Sequence, residues 1–277
     1  MTESEDHHLP VAEQFYSIQG EGRYMGHPAV FLRTAGCNFI CGGAAAASAY
    51  EDTEYAEETQ TMADNLADGA GTWVCDTIGE WMEGNRYTVD ELYEHWSEQN
   101  YLDHIDSGAH IVITGGEPLL HETGLRAFLD RLEQEGHDPF VEVETNGSLY
   151  PGEELRSHID QFNISPKLSN SAMKRDRRYD TEILDRYVTQ HMNSHAQRTG
   201  NADFKFVVGT REDWAEISDD FLDRFDVPRA HVYLMPAGGT QDELTLTRKD
   251  VVALAKDHAV QYTDRLQLVI WDQATGV

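Results

Sequence analysis

Short apolar runs rich in β-branched and aromatic residues alternate with helix-period segments almost to the end of the chain, and few folds can satisfy that alternation. The runs lie at 29–35, 110–114, 140–144, 161–165, 203–208, 231–235 and 266–271. Between them, Leu125, Phe128, Leu129 and Leu132 recur at i, i+3, i+4 and i+7, one apolar stripe along a helix. Segments 89–99, 181–192, 211–225 and 247–258 read the same way. Strand and helix in repeated succession predict an α/β protein with a mostly parallel sheet. Six or seven strands fall short of a complete eight-fold barrel, and no Pro/Ser-rich linker divides the 277 residues. The expectation is therefore a partial, shortened TIM-like barrel forming one domain over residues 1–277. Residues 42–73 break the rhythm. They are rich in Ala, Gly and acid and are read as an inserted loop with one helix at about 55–66.

The polar signatures fall in one place on such a barrel. Gly36-Cys37-Asn38, Gly115-Gly116-Glu117-Pro118, Thr145-Asn146-Gly147, Pro166-Lys167 and Pro236-Ala237-Gly238 each follow the end of a predicted strand. In a barrel of parallel strands those ends share one face, and that face carries the active site.

Charge limits the partners. The chain has 21 basic and 50 acidic residues, a formal net of −29, and its only lysines are Lys167, Lys174, Lys205, Lys249 and Lys256. Such a surface repels phosphate backbones, which argues against nucleic acid as a direct ligand. So much acid also suits a disordered chain, but 40% of residues are hydrophobic and the acids are scattered through periodic segments. A folded protein from a high-salt cytoplasm fits better, because counterions there screen the self-repulsion. No apolar run of about 18 residues suggests a membrane span. The start, Met1 to Asp6, lacks the basic and apolar regions of a signal peptide, so a cytoplasmic protein is expected.

Cys37 and Cys41 are separated by three residues, and Cys75 follows after a further 33. Three thiolates suit an iron–sulfur cluster in which one iron keeps no protein ligand and stays open to a chelating cofactor. The same spacing also suits a zinc site completed by a histidine, or three unrelated buried thiols. Gly115-Gly116-Glu117-Pro118 tips the balance. A glycine pair at a strand end allows close backbone approach to a ligand, and Glu117 can accept from an ammonium group.

Together the cysteine set and the Gly-Gly-Glu-Pro loop resemble the radical S-adenosylmethionine (SAM) superfamily. The opening stretch narrows the likeness. Phe15-Tyr16-Ser17-Ile18-Gln19-Gly20-Glu21-Gly22, Gly26-His27-Pro28 through Arg33, Cys75-Asp76-Thr77, Glu144-Thr145-Asn146-Gly147 and Ser165-Pro166-Lys167 resemble the 7-carboxy-7-deazaguanine synthase family from about Phe15 onward.

The resemblance implies a cluster on Cys37, Cys41 and Cys75, with SAM chelating the open iron and Glu117 receiving its amino group. Val74, Cys75, Asp76, Gly116, Ser165, Pro166 and Lys167 match SAM-contacting positions, as do Met235, Pro236, Ala237 and Gly238. Ile18, Gln19, Gly20, Arg33 and Thr114 match substrate positions, with Glu21 and Glu144 as further pterin contacts. Arg33 would hold the substrate carboxylate through its planar fork of donors; read by itself, it is a surface ion pair. Thr77 matches a Mg²⁺ ligand, although by sequence alone it is a helix cap. The terminal carboxylate of Val277 would reach the substrate, unless the tail is frayed.

The implied reaction converts 6-carboxy-5,6,7,8-tetrahydropterin to 7-carboxy-7-deazaguanine with loss of ammonia, toward a modified tRNA base. An electron donor such as ferredoxin or flavodoxin and a homodimer are implied with it. One departure stands out: superfamily members usually keep the last two cysteines only two residues apart. Two other readings remain: a radical SAM activase of a glycyl-radical enzyme, and a zinc-binding protein without catalysis.

Overall fold

The computed structural model describes residues 7–192, 201–272 and 274. Nine strands form a single sheet: β1 (His8–Ile18), β2 (Pro28–Thr34), β3 (Asn85–Thr88), β4 (His110–Gly115), β5 (Val141–Thr145), β6 (Gln161–Ile164), β7 (Asn201–Val208), β8 (Val232–Pro236) and β9 (Gln261–Tyr262). Their order is β3-β1-β2-β4-β5-β6-β7-β8-β9. From β2 to β9 every neighbour is parallel, while β1 runs antiparallel to both β2 and β3. The mostly parallel α/β sheet expected from the alternation is therefore present.

Three strands escaped sequence reading. β1 carries Pro10, Glu13 and Gln14, with a register shift between Val11 and Glu13, so it shows no apolar run. β3 is short and mostly polar, and β9 spans two residues.

One expected strand is a helix. Leu266–Trp271 is helical, and the amide of Leu266 donates to Gly20 O rather than to a strand. An apolar run of this length cannot be assigned by periodicity, and β9 already occupies the edge of β8 that the run would need.

The helix Glu122–Gln134 buries Leu125, Phe128, Leu129 and Leu132 as its stripe requires. Burial of each such side chain contributes about 1.5–3 kcal/mol. Local capping sets other boundaries. The hydroxyl of Thr88 accepts from Glu91 N while Glu91 accepts from Thr88 N, which starts the helix Val89–Glu98. The hydroxyl of Thr240 accepts from Glu243 N and caps the helix Gln241–His258, six residues before the apolar period predicts a start. Among the described residues no helix is long and apolar enough to cross a membrane.

Two features shape the site. The sheet does not close on itself; its gap is bridged by the segment after β1. Gly22 N donates to Thr263 Oγ1 at 2.7 Å and Leu266 N to Gly20 O at 2.9 Å, so opposite ends of the sheet meet through the 19–22 turn. That joint makes the sheet a partial barrel.

The insertion is the second feature, and it is no loose loop. It holds two helices, Ala44–Ala49 and Ala56–Leu66, where one was expected. Ala46, Ala47 and Ala63 pack with Phe39, Ile40, Ile78, Trp81 and Met173 in a core separate from the main one. Its ends are tied together: Gly71 N donates to Gly42 O, and Gly42 N to Ser171 O, both at 2.8 Å.

Candidate active site

Each of the five polar signatures follows the carboxyl end of β2, β4, β5, β6 or β8, and together they ring one mouth. Beneath the mouth a cavity of about 980 Å³ runs down the barrel to the 19–22 turn. That is the upper end of the ~300–1,000 Å³ typical of single-ligand sites, and it leaves room for two small molecules.

Cys37, Cys41 and Cys75 all line this cavity, and all three are free thiols. Because the ends of the insertion meet, the 33 intervening residues add no distance: Cys75 N donates to Cys41 O at 3.1 Å. Burial, and after it the neighbouring Cys41, pushes the Cys37 thiol well up, and burial pushes Cys41 up to about 12. Thiolates there require a cation at the sulfur. Three sulfurs on one cavity wall, with no fourth cysteine in the chain, fit a cluster with one open iron.

The glycine pair has a structural reason. A Cβ on Gly116 would lie 2.2 Å from Gly36 O and 2.5 Å from Cys37 Cβ, and one on Gly115, at φ +147°, would lie 2.4 Å from Thr34 O. The pair lets the β4 turn pass directly beneath the cysteine loop, and Glu117 N donates to Gly36 O at 3.0 Å. Gly116→Ala must therefore shift backbone that carries Cys37. We expect a loss of roughly 1–3 kcal/mol and lower iron content after reconstitution. In Gly79→Ala the new methyl would meet only ordinary contacts at 3.6 Å or more, so neither quantity should fall.

Glu117, expected to receive the SAM amino group, is turned inward. Its carboxylate is fully buried and accepts from Asn146 N at 2.7 Å, Thr145 Oγ1 at 2.8 Å and Leu119 N at 3.2 Å. Burial pushes it up to about 7 despite those donors. It pins the β5 turn and does not line the cavity; Pro166 and Pro236 do not line it either. The other expected SAM positions do: Val74, Cys75, Asp76, Gly116, Ser165, Lys167, Met235, Ala237 and Gly238. Lys167 Nζ donates to Ser165 Oγ at 2.9 Å.

The expected substrate positions Ile18, Gln19, Gly20, Glu21, Arg33, Thr114 and Glu144 also line the cavity. Buried Gln19 donates to Glu142, and its Oε1 accepts from Glu21 N at 3.1 Å, which fixes the turn. Arg33 both lines the cavity and pairs through Nε with Glu13 at 2.8 Å. Thr77 stands at the N-cap of the helix Ile78–Met82 but caps nothing; its hydroxyl lies 3.4 Å from Cys75 Sγ. Val277 lies outside the described residues.

Two cations went unnoticed in the sequence. Lys205 sits inside β7 between Phe204 and Phe206, and Arg265 follows β9. Arg265 pairs with Asp76 and Glu21 and donates to Gly238 O, tying both ends of the cavity together. A lysine inside an apolar strand was a usable signal for the first; Arg265 had none.

Thiols gathered at the carboxyl ends of a partial parallel barrel, at the mouth of a large cavity, fit the site of a radical SAM enzyme. Comparison with known proteins gives the particular family. The chain is 32% identical over 279 residues to the 7-carboxy-7-deazaguanine synthase of Halobacterium salinarum, covering 96% of this chain and 91% of that protein. It is 29% identical over 267 residues to that of Pyrobaculum aerophilum, covering 96% of each, and 29% over 265 residues to that of Rhodopirellula baltica, covering 94% and 85%. The crystal structure of QueE from Escherichia coli matches the fold with a TM-score of 0.55 at 24% identity, over 94% of both chains. No family model matches. The chain belongs to the 7-carboxy-7-deazaguanine synthase family, which sets aside the activase and zinc-protein readings.

Proposed function

We propose that this chain contracts the ring of 6-carboxy-5,6,7,8-tetrahydropterin to 7-carboxy-7-deazaguanine with release of ammonia, in 7-deazaguanine biosynthesis. One observation carries the reading: a single cavity has free thiols at its mouth and a hydrogen-bonding, carboxylate-lined floor. Cys37, Cys41 and Cys75 would hold a 4Fe–4S cluster. The cavity-lining residues from Val74 to Asp76, with Gly116, Ser165, Lys167 and the 235–238 turn, would hold SAM. Bound there, cluster and SAM would supply one-electron reduction and hydrogen-atom transfer to and from the substrate.

The chain's own residues bind and orient. Arg33 is held by Glu13 at Nε and offers its guanidinium to the substrate carboxylate. Gln19, Thr114, Glu21 and Glu144 supply hydrogen-bond partners along the ring, and the barrel walls exclude water from a reactive radical. The uncapped hydroxyl of Thr77 is the oxygen donor offered to Mg²⁺. Reduction comes from a ferredoxin or flavodoxin, and the enzyme works in the cytoplasm as a homodimer. Nucleic acid is reached only through the product.

The test is anaerobic turnover with reductant, SAM, Mg²⁺ and high salt. 7-Carboxy-7-deazaguanine should form without matching consumption of SAM. Arg33→Ala should raise KM roughly tenfold to a hundredfold, the worth of a charged hydrogen bond at about 1.5–3 kcal/mol, while iron content stays unchanged. A protein that cleaves SAM and leaves this pterin untouched would keep its class and lose its substrate.

A further inference from the structure

The cation in the cavity floor has a role the reaction outlined above leaves open. Lys205 is 4% exposed, and its ammonium stands between two carboxylates: Glu21 Oε2 at 2.5 Å and Glu144 Oε1 at 3.5 Å. The second oxygen of Glu21 accepts from Gln267 Nε2 at 2.8 Å and Arg265 Nε at 3.2 Å. That of Glu144 accepts from Thr114 Oγ1 at 3.0 Å. Glu21 comes from the turn that bridges the barrel gap and Glu144 from β5, so a single ammonium joins two walls of the cavity.

Resting on the pterin reading, we propose that Lys205 is a positioning residue that sets which ring edge the cavity accepts, by holding the Glu21 and Glu144 carboxylates on either side of its ammonium as hydrogen-bond acceptors. An ionised carboxylate only accepts hydrogen bonds, whereas a protonated one also donates. An acceptor-only floor selects a ring edge bearing N–H groups and rejects an edge bearing oxygen. The electrostatics agree. Burial by itself raises the Glu21 carboxyl, and Lys205 with Arg265 outweighs it, holding Glu21 at about 2. Burial would pull Lys205 down, but Glu144 and Glu21 reverse this and raise it. The charged groups around Glu21 are Lys205 of β7, Arg265 after β9, Glu144 of β5 behind Lys205, and Asp76 behind Arg265.

The experiment measures binding of 6-carboxypterin and of 6-carboxylumazine, in which oxygen replaces the 2-amino group, to reconstituted protein by ligand fluorescence. The wild type should favour the pterin by roughly tenfold to a hundredfold, the range for one hydrogen bond to a charged group. In Lys205→Met the preference should fall, and fall further as pH is lowered, because burial then raises the Glu21 carboxyl against Arg265 alone. Lys205→Arg should restore it. The double variant Lys205→Met/Glu21→Gln removes both charges, so it remains measurable even if the single variant fails to fold. Its amide donates and accepts at every pH, so its preference should be weaker than that of the wild type. A pH-independent, wild-type preference in either methionine variant would overturn the proposal. A wild-type protein that binds neither ring would instead count against the pterin reading.

Discussion

Replacing Cys75 with alanine is expected to leave a folded protein that holds iron incompletely and cleaves SAM no faster than background. Cys75 is the ligand farthest along the chain from its partners, yet its amide is fixed to Cys41 O at 3.1 Å. The hydrogen bonds that close the insertion are made by Gly42, Gly71 and Thr72 backbone and do not involve its sulfur. The variant should therefore keep the insertion and its small core, losing about 1 kcal/mol of packing because Cys75 is partly buried against that core. What it loses is one of only three thiolates, and a cluster with two protein ligands is not retained. Iron and sulfide content, visible absorbance and 5′-deoxyadenosine formation report the outcome. Cys37→Ala and Cys41→Ala should behave alike in activity, with Cys41→Ala also losing some packing in the small core. Full SAM cleavage by Cys75→Ala would remove the distant cysteine from the cluster and leave the insertion without its purpose.

The readable parts of this fold are those whose cause is local. β4 and β8 announce themselves because both faces of each are buried, which demands apolar runs such as Ile111-Val112-Ile113 and Val232 to Met235. β1 is hidden because half of its residues face the cavity or the surface and stay polar. The 266–271 run misleads for the opposite reason: Val269 and Ile270 are apolar but exposed, so their hydrophobicity marks no core. The site divides the same way. Cysteines, the glycine pair and the Gln19-Gly20-Glu21-Gly22 turn are recognisable as strings. For Glu117 the sequence gives a position and not a direction; the fold adds the hydrogen bonds it accepts from Asn146 and Thr145. Arg265 acquires its role only when the 19–22 turn bridges the barrel gap and brings Glu21 within 3.2 Å, an event of long sequence separation that no local pattern encodes.

A steep rise of the unfolding midpoint with salt is the second large effect expected. The excess of 29 negative charges (50 acidic less 21 basic) is confined to the folded surface and diluted over a much larger volume on unfolding. At 0.1 M ionic strength the Debye length is about 10 Å, so acids on neighbouring turns still repel; at 1 M it is about 3 Å and they do not. Salt also weakens favourable pairs such as Arg175–Asp220 and Arg211–Asp257, but both are partly exposed and each contributes at most about 1 kcal/mol. Lys205, Arg265 and Arg178 pair with partly buried carboxylates, so the net negative excess stays with the other, more exposed acids. Repulsion among unpaired acids therefore outweighs the loss of exposed pairs. With each kcal/mol worth about 2–4 °C in a chain this long, we expect the midpoint of the reconstituted protein to climb by roughly 10 °C or more between 0.1 and 2 M KCl. Most of the rise should come below 1 M, where the Debye length changes most. Equal osmolality of sucrose should not reproduce that early rise, because sucrose screens no charge. A midpoint indifferent to KCl, or one that follows sucrose equally, would mean that the acidic surface is neutral to stability and that its charge serves solubility alone.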